Sequence, residues 1–253
     1  MFRHLVKFSF ITSASLLLTL ATVQTAVADI VILDDFSTSI QFNNGSFSGS
    51  DSRNDFWSPE VTIAPGVTAT WYDSGSGILG GRRNVEAQNA ATSTQSSLIS
   101  IDDYLSVNSP SANFMCATCL SYTFAALNVE FYHKLVIDVL SLDAAAKNHL
   151  QGVLKLKDAS GNTAIANIAG NTLFAGRNKI ELHSMQNWNG INRTNIVFAE
   201  MSFLTTQPAV DFTIDTLAFA TNPEPSTFVV MGLAFATAAA LRFRKRSKAQ
   251  KSD

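Results

Sequence analysis

Apolar and polar residues alternate with a period of two through most of the chain between residues 30 and 220. In the segment 152–158, Leu154 and Leu156 fall on one face of an extended chain, and Lys155 and Lys157 fall on the other. Segments of this kind, rich in Val, Ile, Thr and Phe, predict β-strands. They are residues 30–34, 67–73, 84–88, 97–101, 120–131, 135–143, 152–158, 178–184, 195–204 and 210–220.

The links between these segments are rich in Gly, Ser, Asn and Asp. Residues 158–162 separate two alternating segments and have the composition of a hairpin turn. Many short strands without long helices between them are typical of antiparallel sandwiches and barrels. We therefore predict an all-β domain, an antiparallel β-sandwich of jelly-roll-like form.

The first residues have the pattern of a secretory signal peptide. Arg3 and Lys7 precede an apolar run, and the run ends at the small residues Ala26-Val27-Ala28. We expect the Sec translocon to export the chain and signal peptidase to remove residues 1–28, which leaves a β-sandwich domain at 29–222. A retained membrane anchor is the alternative interpretation of the same segment.

A second apolar segment follows the domain. Pro223-Glu224-Pro225 opens it, and neither proline suits a helix interior or a central strand. Residues 226–243 are almost uncharged and predict a single transmembrane helix, whose basic end stays in the cytoplasm. The basic residues at that end are Arg242, Arg244, Lys245 and Arg246.

This C-terminal arrangement, paired with a signal peptide, resembles the PEP-CTERM proteins of Gram-negative bacteria. The resemblance implies that residues 223–253 are a sorting signal read by an exosortase, a membrane-embedded cysteine-dependent processing enzyme. It further implies anchoring in the inner membrane during sorting, then a place at the cell surface or in the extracellular or biofilm matrix. The resemblance covers about residues 222–246, and the tail beyond is longer than usual. An ordinary tail anchor is the alternative.

Charge is unevenly distributed along the chain. The whole sequence has a net charge of −2, but eight of its 18 Lys and Arg residues lie in the two terminal segments. The domain at 29–222 keeps ten basic and eighteen acidic residues, a net charge of −8. Because nucleic-acid binding needs Lys and Arg to neutralise phosphates, this balance argues against a nucleic-acid partner.

Cys116 and Cys119 are the only cysteines. In an exported chain we expect them to form a disulfide, which would require a turn because an extended strand separates the two positions too far. A redox-active pair, a metal site and free thiols are the alternatives. A catalytic pair usually opens a helix, whereas the residues after Cys119 predict a strand.

Aromatic residues beside polar loops suggest sugar binding. Trp57, Tyr72 and Trp188 are the candidates, because sugars stack an apolar face on such rings while polar neighbours bind the hydroxyls. Trp71 lies inside an alternating strand, and we expect it in the core.

The first and last strands, 30–36 and 210–220, resemble the terminal strands of jelly-roll carbohydrate-binding modules. In such modules the two ends often pair, and acidic residues near them can hold a structural calcium ion. The resemblance covers about twenty residues and implies a calcium site at Asp34, Asp35 and Asp215; no other cofactor is expected. Residues 77–87 resemble a glycine-arginine segment of PEP-CTERM bodies that has no assigned chemistry.

Two hypotheses about function remain. The first is an exported, non-catalytic surface or matrix protein that binds extracellular polysaccharide. The alternative is a secreted carbohydrate-active hydrolase or lyase on the same scaffold, which would need two carboxylates facing each other across a cleft. The sequence contains no G-x-S-x-G motif, and no serine, histidine and aspartate stand out as a catalytic set.

Overall fold

The described part of the chain is almost entirely β-structure. A computed structural model describes residues 30–40, 60–90, 95–108, 116–144, 149–169, 172–205 and 210–221. The strands are β1 (Ile30–Asp34), β2 (Glu60–Ile63), β3 (Thr68–Ser74), β4 (Arg82–Asn89), β5 (Ser97–Ile101), β6 (Leu105–Asn108), β7 (Cys116–Leu127), β8 (Lys134–Leu142), β9 (Leu150–Asp158), β10 (Thr163–Ile168), β11 (Gly176–Glu181), β12 (Ile196–Thr205) and β13 (Phe212–Ala220).

The predicted signal peptide (1–28) and sorting segment (223–253) lie outside these ranges, so both stay predictions. Within the ranges that the structure describes, no helix is long and apolar enough to cross a membrane.

The strands form two antiparallel sheets. The seven-stranded sheet has the order β11-β8-β13-β6-β5-β2, with β1 also paired to β13. The six-stranded sheet has the order β10-β9-β12-β7-β4-β3. Ile30 of the first strand lies opposite Ala220 of the last. The first and last strands therefore pair side by side, as the resemblance to carbohydrate-binding modules implied. The two antiparallel sheets confirm the prediction of an all-β sandwich.

One hydrophobic core lies between the sheets, and the period-two alternation of the strands produces it. On β3, Trp71 points inward and is 4% exposed, as predicted. The rings of Phe203 on β12 and Phe212 on β13 meet across the two sheets, with centroids 5.2 Å apart. Because successive side chains of a strand point to opposite faces, the same strands present polar residues outward.

The predicted hairpin between β9 and β10 is present. The carboxylate of Asp158 accepts the backbone N–H groups of Ser160 and Asn162, both at 2.9 Å, and that of Asn192 at 2.8 Å. Gly161 adopts φ +90°, a value that favours glycine. These hydrogen bonds, with that from Asn192 the strongest influence, lower the pKa of Asp158.

Candidate functional site

A groove crosses the outer face of the six-stranded sheet, over strands β3, β4, β7 and β12. Its volume is about 410 Å³. The outward side chains that line it include Thr70, Tyr72, Asn84, Glu86, Ser121 and Glu200. This groove is the candidate functional site, because it brings an aromatic ring together with hydroxyl, amide and carboxylate groups on a rigid sheet.

Backbone register arranges the outward side chains of this face in rows that run across the strands. One row, here called the Tyr72 row, runs through Tyr72, Asn84, Ser121, Glu200 and Lys155. Neighbouring strands lie about 4.8 Å apart, so the five members of a row span about 19 Å. A ligand that lies along the row would therefore contact five strands.

A second row, here called the Arg82 row, lies beside the first. Thr123, Phe198 and Lys157 are in register on β7, β12 and β9. Arg83 pairs with Tyr122, so Arg82 comes next to Thr123 at the β4 end of the row. A β-bulge between Ile196 and Phe198 shifts the register of β12 at this row. Bulges of this kind are common beside functional sites because they re-aim side chains.

The guanidinium group of Arg82 is held in place by two neighbours. Its central carbon lies 3.9 Å from the centroid of the Tyr72 ring, a cation–π contact. Its Nε donates a hydrogen bond to Asn84 Oδ1 at 3.1 Å. Among the described residues, no side chain pairs with its terminal Nη groups. The held guanidinium therefore keeps two donor groups for a ligand.

Phe198 carries two lysines beside its ring. The Nζ atoms of Lys155 and Lys157 lie 5.9 and 6.0 Å from the ring centroid. Lys155 also lies 3.6 Å from Glu200 Oε2, so the charge of that carboxylate is partly balanced. The β9 side of this face therefore carries two lysine charges, of which only that of Lys155 is partly balanced.

Cys119 lies in the groove as a half-buried free thiol, and the predicted disulfide with Cys116 is wrong. Strand β7 begins at Cys116, so both positions are in extended chain. Three extended residues separate Cα atoms by about 10 Å, whereas a disulfide needs less than about 7 Å. Burial raises the pKa of the Cys119 thiol, although a hydrogen bond with Ser202 opposes the shift.

The acidic residue Asp34 belongs to a buried ion-pair network instead of a metal site. Arg83 Nη1 donates to both carboxylate oxygens of Asp34, at 3.0 and 2.8 Å, and Tyr122 donates its hydroxyl to Asp34 Oδ2 at 2.9 Å. Arg83 Nε and Nη2 also donate to Asp73 Oδ2, at 3.2 and 2.9 Å. All four side chains are fully buried. The network joins β1 of one sheet to β3, β4 and β7 of the other.

The structure does not bring the three predicted calcium ligands, Asp34, Asp35 and Asp215, together as one set. Asp35 accepts hydrogen bonds from Ser37, and Asp215 accepts one from Thr216. No three His, Cys, Asp or Glu side chains in the described ranges are placed to hold a metal ion. The resemblance suggested these ligands from residue type and rough placement, whereas in the structure Asp34 is paired with Arg83.

The glycine-arginine segment 77–87 builds both the groove and the network. Gly80 adopts φ +79°, and a Cβ atom there would collide with the backbone oxygen of Thr123. The tight turn at Leu79–Gly81 leads directly into β4. Arg82 then points outward into the groove, and Arg83 points inward to the network. Alternation alone could have shown that adjacent arginines on a strand face opposite sides.

The sugar-binding candidates from the sequence are separated by the fold. Tyr72 lies in the groove. Trp188 lies in the short turn Trp188–Gly190 and is only 7% exposed, with Arg193 over its ring at 5.9 Å. Because the ring is buried with the hydrophobic core, it offers no face on which a sugar could stack, and the prediction for Trp188 is corrected. Trp57 lies outside the described residues.

Comparison with known proteins identifies no family. No protein-family description matches the chain, and no curated protein matches it. Among solved structures, the family 11 carbohydrate-binding module of a cellulosomal cellulase of Clostridium thermocellum aligns with 70% of this chain and 95% of its own, at 12% identity and a TM-score of 0.32. The family 30 module of another cellulosomal cellulase of that organism aligns with 64% and 98%, at 13% identity and a TM-score of 0.33. Similarities of this size establish neither a shared family nor a shared ligand.

Proposed function

We propose that this protein is an exported, non-catalytic surface or matrix protein, with a jelly-roll-like sandwich that binds extracellular polysaccharide in the groove. The single observation that supports the proposal most is the Tyr72 row. It places an aromatic ring, an amide, a hydroxyl and a carboxylate in one line across the strands. Such mixed apolar and polar surfaces suit sugars, whose rings carry an apolar C–H face and polar hydroxyl edges.

The delivery of the protein is part of the same proposal. Its support is the sequence of the two terminal segments, 1–28 and 223–253. Sec export, signal-peptide removal and exosortase sorting would place the domain at the cell surface or in the matrix, where polysaccharide is available. The C-terminal helix would anchor the protein in the inner membrane until sorting.

The experiment is affinity electrophoresis of the purified protein in gels that contain polysaccharide. We expect retardation by a surface or matrix polysaccharide, and we expect Tyr72→Ala to weaken it about 2- to 10-fold through the lost ring contact. Tyr104→Ala is the matched control, because Tyr104 is an exposed tyrosine between β5 and β6 of the other sheet. Equal retardation of the two variants would place binding elsewhere.

A second candidate function, polysaccharide hydrolysis, has one observation in its favour. Glu86 and Glu200 line the same groove, on strands β4 and β12, with β7 between them. Their Cα atoms are about 12 Å apart from strand spacing and rise per residue. Glu200 is already paired with Lys155, which does not suit a nucleophile or a proton donor that must act freely. We expect that the protein releases no reducing ends from any polysaccharide that it binds. If it does release them, and if Glu86→Gln abolishes this release, hydrolysis would be favoured.

A further inference from the structure

Among the described residues, the outer face of the six-stranded sheet carries three cationic side chains against the carboxylates of Glu86 and Glu200, although the domain is acidic overall. Arg82, Lys155 and Lys157 all lie on this face, in the Tyr72 and Arg82 rows. The domain around them has a net charge of −8. A local excess of positive charge on an acidic protein attracts anions to one place and repels them elsewhere.

Two of these cations have no counter-ion among the residues that the structure describes. No carboxylate of the described residues lies within ion-pair distance of Arg82 or Lys157. Elsewhere on the surface, Lys134 lies 3.1 Å from Glu181, and Arg177 lies 2.9 Å from Asp138. Lys179 on the edge strand β11 also has no carboxylate partner in the described part of the chain, but it lies in the other sheet, away from the groove.

Arg82 differs from an ordinary surface arginine because its position is fixed before a ligand arrives. Tyr72 stacks on the guanidinium, and Asn84 accepts from its Nε. Two Nη groups remain to bind a planar carboxylate by two parallel hydrogen bonds, the geometry that arginine favours. Because the side chain is already ordered, binding loses less conformational entropy than at a free arginine.

The arrangement also orients a ligand. Glu86 lies on the side of the groove away from the Arg82 row, next to Thr70 and Cys119. An acidic group is therefore attracted toward Arg82 and repelled from Glu86. Lys157 lies three strands from Arg82, about 14 Å away by strand spacing, so the two cations would contact non-adjacent sugars of one chain.

We propose that the polysaccharide bound in the groove is acidic, with a uronate carboxylate held by Arg82 and a second one by Lys157. This inference rests on the proposed function and names its substrate class. Neutral polysaccharide would leave both cations without an anionic partner.

The test compares acidic polysaccharides with their own neutral forms. Polygalacturonate, alginate and hyaluronate are each titrated into the full-length protein beside a carboxyl-reduced preparation of the same polymer. We expect at least one acidic polymer to bind about tenfold more tightly than its reduced form, and the preference to shrink as salt rises. Dextran sulfate is included, and equal binding of this polymer would overturn the assignment to a carboxylate.

Substitutions at Arg82 and Lys157 test whether these residues cause the preference for the acidic polymer. Arg82→Gln should lower affinity for the acidic polymer about tenfold, and Lys157→Gln about threefold, and each should lower affinity for the reduced form by a smaller factor. Arg82→Lys should recover part of the loss, because it keeps the charge without the two-bond geometry. Lys179→Gln is the control and should change nothing. Thermal melts check that each variant folds.

Different failures have different meanings. If the reduced polymers bind as tightly as the acidic ones, or if Arg82→Gln leaves the acidic affinity unchanged, the acidic ligand is overturned while polysaccharide binding stands. If no polymer, acidic or neutral, binds in the groove, both the inference and the proposed function fail.

Discussion

Arg82 and Arg83 are neighbours in sequence, and the structure predicts opposite effects for their replacement. Arg83→Met removes the cation from the fully buried network with Asp34 and Asp73. The two carboxylates then stay in the core without their partner, and Arg83 Nη2 no longer donates to the carbonyl of Thr38. Removing one partner of a buried ion pair lowers the free energy of unfolding by about 3–5 kcal/mol.

Urea unfolding measures this cost. With an m-value of about 2 kcal/mol/M, the midpoint of Arg83→Met should fall by about 2 M. Arg82→Met is the matched control, because the same substitution one residue earlier removes an exposed cation and should cost less than about 1 kcal/mol. The control should lose binding to acidic polysaccharide while it keeps its stability.

The pH dependence of Arg83→Met supplies a second check. Burial already raises the pKa of Asp34 against the opposing effect of Arg83, and loss of Arg83 should raise it further above that of the unfolded chain. A raised folded pKa means that stability is present at low pH and is lost as the pH rises through that pKa. The deficit of Arg83→Met relative to the wild type should therefore shrink on acidification to about pH 5. If Arg83→Met lowered the free energy of unfolding at neutral pH by less than about 1 kcal/mol, as Arg82→Met should, the stabilising role of the buried network would be refuted.

Three further expectations concern other parts of the fold. The pKa of Asp158 is lowered from 3.8 in the folded protein, so its stabilisation should be present above that pH and be lost as the pH falls. The melting temperatures of Asp158→Asn and the wild type should therefore converge on acidification. Trp188→Ala should lower unfolding free energy by about 3–5 kcal/mol and leave polysaccharide affinity unchanged; lost affinity in a stable variant would restore Trp188 as a ligand contact. In the wild-type protein, the number of thiols that react with a thiol reagent should be the same before and after mild reductant, and a larger number after reductant would reveal a disulfide.

Much of the fold could be predicted because it depends on local alternation. The period-two pattern of β3 placed Trp71 in the core, and the alternation of β9 placed Leu154 inside and Lys155 outside, as the structure shows. The turn composition of 158–162 predicted the hairpin. These features need only neighbouring residues, so a single sequence contains enough information to predict them.

The site could be predicted only in part because it depends on pairing between distant strands. Tyr72 was identified from its loop-adjacent aromatic ring, but its partner Arg82 comes into place through the register of β3 and β4. Cys119 was misassigned because compartment and spacing favoured a disulfide, whereas pairing of β7 with its neighbours keeps the backbone extended. Trp188 has polar neighbours in sequence, and its burial follows from packing that sequence does not show.

The measurement that tests polysaccharide binding in the groove most directly is amide chemical-shift mapping by NMR during titration with a bound polysaccharide fragment. The account predicts that the largest shifts fall on the outward positions of the Tyr72 and Arg82 rows, including Asn84, Ser121 and Phe198. Amides of the seven-stranded sheet, such as that of Lys179, should stay unchanged. Shifts concentrated on the seven-stranded sheet, or on the loop around Trp188, would contradict it.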